Sequence, residues 1–118
     1  MTELIACLSS GKGSWTYVQK LIKEESWDRV FLITNQFGKE NFPKTENTEL
    51  IVVDFSKHLP DLINDILSKL KGKIKNIEVA VNIVSGSGKE HMAIMSALLK
   101  LGLAIRFVAV TLSGVREI

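Results

Sequence analysis

One cysteine, Cys7, is all the chain carries, so an internal disulfide is excluded. Its place in the apolar run Leu4-Ile5-Ala6-Cys7-Leu8 marks it as a small buried hydrophobe rather than a nucleophile. Long hydrophobic runs are missing too. No segment offers the roughly 18 consecutive apolar residues of a membrane span, and Met1-Thr2-Glu3 lacks the basic, small-residue pattern of a secretory signal. The expected location is the cytoplasm, with no membrane association. A net charge of +2 is too small to announce a nucleic-acid coat, so direct binding of duplex DNA is not expected. The dense run Lys69, Lys71, Lys73 and Lys75 around Gly72 reads as a solvated helix end. His58 and His91 are far apart and join no ligand cluster, so no metal is expected. Repeats, low-complexity tracts and linkers are also absent, and 118 residues suit one domain spanning 1–118.

What is present is an alternation of buried strands and amphipathic helices. Leu4 to Leu8 is too short for a helix and uniformly apolar, as a strand covered on both faces would be. Trp15, Val18, Leu21 and Ile22 then recur at helical spacing, and Val30 to Thr34 makes a second strand. The polar stretch Asn35 to Thr48 reads as a long connection to a third strand at Leu50 to Val53. Leu59, Leu62, Ile63, Ile66, Leu67 and Leu70 predict a helix, with Pro60 in its first turn and Gly72 beyond its end. Ile77 to Val84 supplies a fourth strand, Lys89 to Leu101 a third helix stopped by Gly102, and Ala104 to Leu112 a fifth strand. The ending Ser113 to Ile118 is either another strand or a junction. This order predicts an α/β, Rossmann-like three-layer fold with a mainly parallel five-stranded sheet in the order 3-2-1-4-5. Strands 1 and 4 are then neighbours, and the crevice over their carboxyl ends is where such sheets bind ligands.

Two glycine-rich turns fall at that crevice, Ser9-Ser10-Gly11-Lys12-Gly13 and Ser85-Gly86-Ser87-Gly88-Lys89. Strand-to-helix turns of this kind aim backbone N–H groups at an anion, with phosphate the natural guest. Ser87 and Glu90 have capping-box spacing, which places Lys89 in the first helical turn, against the dipole unless an anion or solvent meets it. A P-loop is excluded because Ile83 stands at its first glycine and Glu90 follows the lysine. A dinucleotide fingerprint fails at Thr16, and Asn35 replaces the usual acidic residue, so no nicotinamide or flavin cofactor is expected. His91 falls near the crevice as a packing residue or a ligand contact, and Trp15 is expected to pack rather than stack on a base. The third helix, with Met92, Ala93, Ile94, Met95, Ala97, Leu98, Leu99 and Leu101, has almost no polar face. Its cover is either its own neighbours or a second subunit.

These residues resemble the CARF family, the CRISPR-associated Rossmann-fold domains that sense cyclic oligoadenylates in antiviral defence. Leu8 to Gly13 after the first strand and Val81-Asn82-Ile83-Val84-Ser85-Gly86-Ser87-Gly88-Lys89 after the fourth carry the likeness. Family members tend to show an Asn, then Thr-Gly-Gly-Thr-Lys, then a methionine-bearing apolar helix. Asn82, Gly86, Lys89 and Met92 keep that layout, while Ser85, Ser87 and Gly88 depart from it. The resemblance implies a homodimer that binds a symmetric cyclic oligonucleotide across its interface. The implied ligand-binding set is Ser9, Ser10, Gly11, Lys12, Gly13, Asn35, Ser85, Gly86, Ser87, Gly88 and Lys89. Some stand-alone relatives cleave the ring without metal, by attack of a ribose 2′-OH on the adjacent phosphorus; Ser10 and Lys89 are the residues that would stabilise the charge. The sequence supplies no obvious general base, so a pure binder stands beside a slow ring nuclease. It also leaves open whether the chain is a sensor from a longer protein or a stand-alone domain. Two other readings remain: the same crevice serving another small phosphorylated ligand without a dimer, and a protein-interaction module whose glycines serve only turns.

Overall fold

A computed structural model describes residues 2–9, 11–43 and 45–118 of the chain. Its elements are β1 (Glu3–Cys7), α1 (Trp15–Lys23), β2 (Arg29–Thr34), α2 (Gln36–Asn41), β3 (Thr48–Val52), α3 (Leu59–Leu70), β4 (Glu78–Asn82), α4 (Gly88–Lys100), β5 (Ala104–Thr111) and β6 (Gly114–Glu117). They form one sheet in the order β3-β2-β1-β4-β5-β6. The first five strands are parallel to their neighbours, and β6 returns antiparallel to β5. This is the Rossmann-like order expected from the sequence, extended by one edge strand.

The two faces of the sheet follow from the period of two along each strand. On β1, Ile5 and Cys7 join the core under α3 and α4, while Leu4 and Ala6, with Leu8 just beyond the strand, join the core under α1. Phe31 and Ile33 on β2, with Val79 and Val81 on β4, take the first side; Val30, Leu32 and Ala80 take the second. Right-handed crossovers explain the partition. The chain runs outward from β1 to β3 on one side, then returns past β1 to β4 and onward, so its helices change face.

Three polar contacts close the ends of this frame. The buried Glu3 carboxylate accepts from the backbone N–H groups of Lys75 (3.0 Å) and Asn76 (2.9 Å), tying the start of β1 to the turn before β4. The Asn82 side chain donates to the Val108 carbonyl (2.9 Å) and accepts from Val84 N–H (3.2 Å). Tyr17 of α1 accepts from the Val110 N–H at 2.9 Å. The basic run after α3 is at the surface, where Lys69 meets Asp65 and Lys73 meets Glu49. No helix among the described residues is long and apolar enough to cross a membrane.

One segment differs from the sequence expectation, and a second takes one of the two forms left open. The Asn35–Thr48 connection contains α2, a short helix whose one buried residue is Gly38. It has no apolar stripe to reveal it; the Asn35 side chain caps it by accepting from Gly38 N–H at 3.1 Å. The last residues form β6 through a two-residue hairpin in which Thr111 Oγ1 donates to the Gly114 carbonyl (2.7 Å) and accepts from Ser113 N–H (3.1 Å).

Gly38 is where α2 touches the sheet. A Cβ there would stand 1.9 Å from Thr34 Oγ1 and 3.1 Å from Thr34 Cβ. The Thr34 hydroxyl cannot simply turn away, because it is buried and donates to the Leu8 carbonyl at 3.0 Å. Gly38→Ala is therefore expected to destabilise the protein by about 1–3 kcal/mol through overpacking. Gly88→Ala, where an added Cβ meets open space, is the control and should unfold at or above the wild-type denaturant midpoint.

Candidate functional site

The two glycine-rich turns leave adjacent strands, because β1 pairs directly with β4. After β1 the chain makes a single 3-10 turn at Lys12–Ser14 and enters α1. After β4 it passes through Ser85 and Gly86 to the cap of α4 at Ser87. The capping box is formed: Ser87 Oγ accepts from Glu90 N–H (3.4 Å) and Glu90 Oε1 accepts from Ser87 N–H (3.0 Å).

The turns are joined through one buried hydroxyl. Ser85, 1% exposed, accepts from Ser9 N–H at 2.9 Å and from the Ser14 hydroxyl at 2.6 Å, and donates to Ser9 Oγ at 3.2 Å. One donor and two acceptor sites are thereby used in full. Ser85 thus locks the turns together, and its hydroxyl is already engaged within the protein. Ser14, a partner in this lock, stands outside the set expected from the sequence, because its bond to Ser85 spans 71 residues.

Gly86 sits at φ +105°, and a Cβ there would lie 2.7 Å from Cys7 Sγ and 2.8 Å from Glu90 Oε1. Positive φ and close packing both require glycine. His91 Nε2 lies 2.9 Å from the Ser85 carbonyl, an acceptor, so Nε2 carries the hydrogen. Trp15 is buried, packs edge-on against Phe42 and donates its indole N–H to the Ser9 carbonyl at 2.8 Å. It packs, as its position suggested.

The cations of the two turns are held apart. Lys12 Nζ lies 5.8 Å from the Trp15 ring centroid and 5.7 Å from that of Phe37. Lys89 Nζ donates to the Phe55 carbonyl at 2.9 Å, and its charge adds to the hydrogen bonds from Ser56 that lower the Asp54 pKa. Gly11, Gly13, Ser87 and Gly88 are exposed along the turns, as Lys12 and Lys89 are. Ser10 lies outside the described residues. Asn35 stands one strand further along, capping α2 at the end of β2. It lines a cleft of about 500 Å³ with Phe37, Val53, Asp54, Lys57 and Lys69. The site thus divides into a locked double turn and a neighbouring cleft.

Burial pushes the Cys7 thiol from 9.0 up to about 12, with the Glu90 charge adding to the rise. The folded thiol stays neutral where an unfolded one ionises. Its contribution to stability is full below pH 9 and is lost as pH rises toward 12. Denaturation between these limits should show a decline with pH that is shallower in Cys7→Ala than in wild type. Ser85→Ala tests the lock: stranding the Ser9 and Ser14 donors is expected to cost about 1–3 kcal/mol. Amide exchange at Ser9 should quicken more than at Ile5 in the middle of β1. No protein-family model matches this chain, and no curated protein does.

Proposed function

We propose that this chain is a CARF-type sensor, two copies of which bind a cyclic oligoadenylate across their paired glycine-rich turns. The observation that carries the reading is the uncovered face of α4. Gly88 and Lys89, which open the helix, lie on the side that carries Met92 and Leu99, while Met95 between them is partly buried against the core. The opposite face, with Ala93, Ile94, Ala97 and Leu98, is fully buried, whereas Met92 is 60% and Leu99 62% exposed. Phe107 and Ile118 add exposed apolar surface from the neighbouring sheet edge.

A second copy seated on this face about a two-fold axis brings two Gly86–Lys89 turns side by side. A ring with the same symmetry then meets equivalent groups from each copy. Its phosphates are met by the exposed N–H groups at the start of α4, where the helix dipole favours negative charge. Lys89 exchanges the neutral Phe55 carbonyl for a phosphate oxygen, a stronger, charge-assisted bond.

The test is to incubate purified chain with labelled cyclic tetra- and hexa-adenylate, beside Lys89→Ala and Leu99→Asp. One ring should bind the wild type, and Lys89→Ala should weaken it by at least about tenfold, the loss expected for a charged hydrogen bond. Leu99→Asp should sediment as a monomer and lose the ring as well. Linear products ending in a cyclic phosphate would add ring cleavage to binding. A monomeric wild type that retains neither ring would overturn the reading.

A further inference from the structure

The sheet ends on β3, and among the described residues no strand pairs with its outer edge. The ladder to β2 shows which groups are left over. Val30 N–H donates to the Asn47 carbonyl (2.9 Å) and the Thr34 carbonyl accepts from Val53 N–H (2.8 Å), in a register that sets Val30 beside Thr48 and Thr34 beside Val52. Residues of a strand bond alternately to one side and the other, so Thr48, Leu50 and Val52 turn their backbone groups away from the sheet. Thr48 N–H is spent on the Thr45 carbonyl (3.1 Å), and the Val52 carbonyl accepts from Lys69 Nζ (2.6 Å). What remains along the edge is the Thr48 carbonyl, both groups of Leu50 and the Val52 N–H.

A groove of about 390 Å³ follows this edge between β3 and the end of α3, lined by Glu49, Leu50, Val52, Lys69, Lys71 and Lys73. It shares Val52 and Lys69 with the cleft beside Asn35, so an extended chain has room to continue past β3. Its charge is one-sided. Glu49 is already shared by Arg29 and Lys73, and Asp65 by Lys57 and Lys69, while Lys71 makes no ion pair among the described residues. Lysines beside an open edge refuse a second copy of the same strand: β3 against β3 about a two-fold axis would set the Lys69–Lys73 clusters of both copies along one seam. The same lysines admit a strand of opposite charge.

We propose that the free edge of β3 takes an extended acidic segment of a partner protein as a further strand of the sheet. Backbone bonds to Leu50, with the Thr48 carbonyl and the Val52 N–H on either side, supply the pairing, and side-chain alternation supplies the selectivity. Residues of the segment opposite Leu50 share its face and are apolar. Those between them lie on the α3 side, where carboxylates meet Lys69, Lys71 and Lys73. The edge is the opposite one from β5 and β6, so this docking is independent of the nucleotide-binding reading above.

The probes are fluorescent peptides of about seven residues, enough to overlie the five residues of β3, titrated by anisotropy. A peptide alternating valine and glutamate should bind at least about tenfold more tightly than one alternating valine and lysine. Methylating the backbone nitrogens of its valines, which bond to the edge, should weaken it by about tenfold, whereas methylating those of its glutamates, which point away, should not. Amide exchange at Leu50 and Val52 should slow when the peptide is bound. Lys71→Glu should weaken binding severalfold, and so should Val52→Pro, which removes an outward N–H at an edge position where proline is tolerated; circular dichroism checks that both variants fold. No binding of the glutamate peptide would overturn the proposal. So would binding indifferent to which nitrogens are methylated, or equal binding of a single-stranded oligonucleotide with Leu50 and Val52 unprotected, since the lysines would then be a plain basic patch.

Discussion

Everything in this molecule is arranged around β1 being closed on all four sides. Strands β2 and β4 pair with its two edges. Helix α1 covers one face, and α3 with α4 covers the other. No side chain of Glu3–Cys7 reaches water, and the residues alternate between two separate apolar cores. A strand so enclosed can carry function only at its end, where the chain must leave it. Because β4 is its parallel neighbour, two strand-to-helix turns emerge side by side.

That proximity would be loose without polar links, and the links here are few and buried. Ser85 joins the two turns at the carboxyl end of the sheet, and Glu3 joins β1 to the approach of β4 at the amino end. Each uses a side chain to satisfy backbone donors that would otherwise be costly to bury. The turns are consequently preformed. Beside them the cations Lys12 and Lys89 rest on neutral partners, the rings of Trp15 and Phe37 and the carbonyl of Phe55. The apolar face of α4 begins at the same turn, which is why ligand binding and association of two copies are proposed as one event.

Much of this was legible because it is local. The runs around Leu4, Val30 and Val79 are apolar at every position, the signature of strands covered on both faces, and α3 shows its stripe without interruption. The Ser87–Glu90 spacing located the start of α4 to within a residue. The helix α2 was not legible, since a short helix with glycine as its buried residue has no periodic pattern and is held by the Asn35 cap and by close contact with Thr34. The ending Ser113 to Ile118 was left open between strand and junction, and Gly114–Glu117 are strand because a hairpin sets them against β5. Ser85 resembled a ligand-facing hydroxyl among glycines; its partners are 76 and 71 residues away in sequence, so no local pattern could show that it is spent on them.

By itself the sequence determined the order and kind of the main elements, the place of both glycine-rich turns and the inertness of Cys7, because hydrophobic periodicity, capping and turn chemistry act over a few residues. The tertiary structure alone decided which hydroxyl locks the turns, where Lys12 and Lys89 rest, that Asn35 and Phe37 share a cleft with Asp54, and which face of α4 is left uncovered. Those outcomes depend on chain segments that meet only after the sheet has formed, and on the handedness that sends α1 to one face and α3 and α4 to the other.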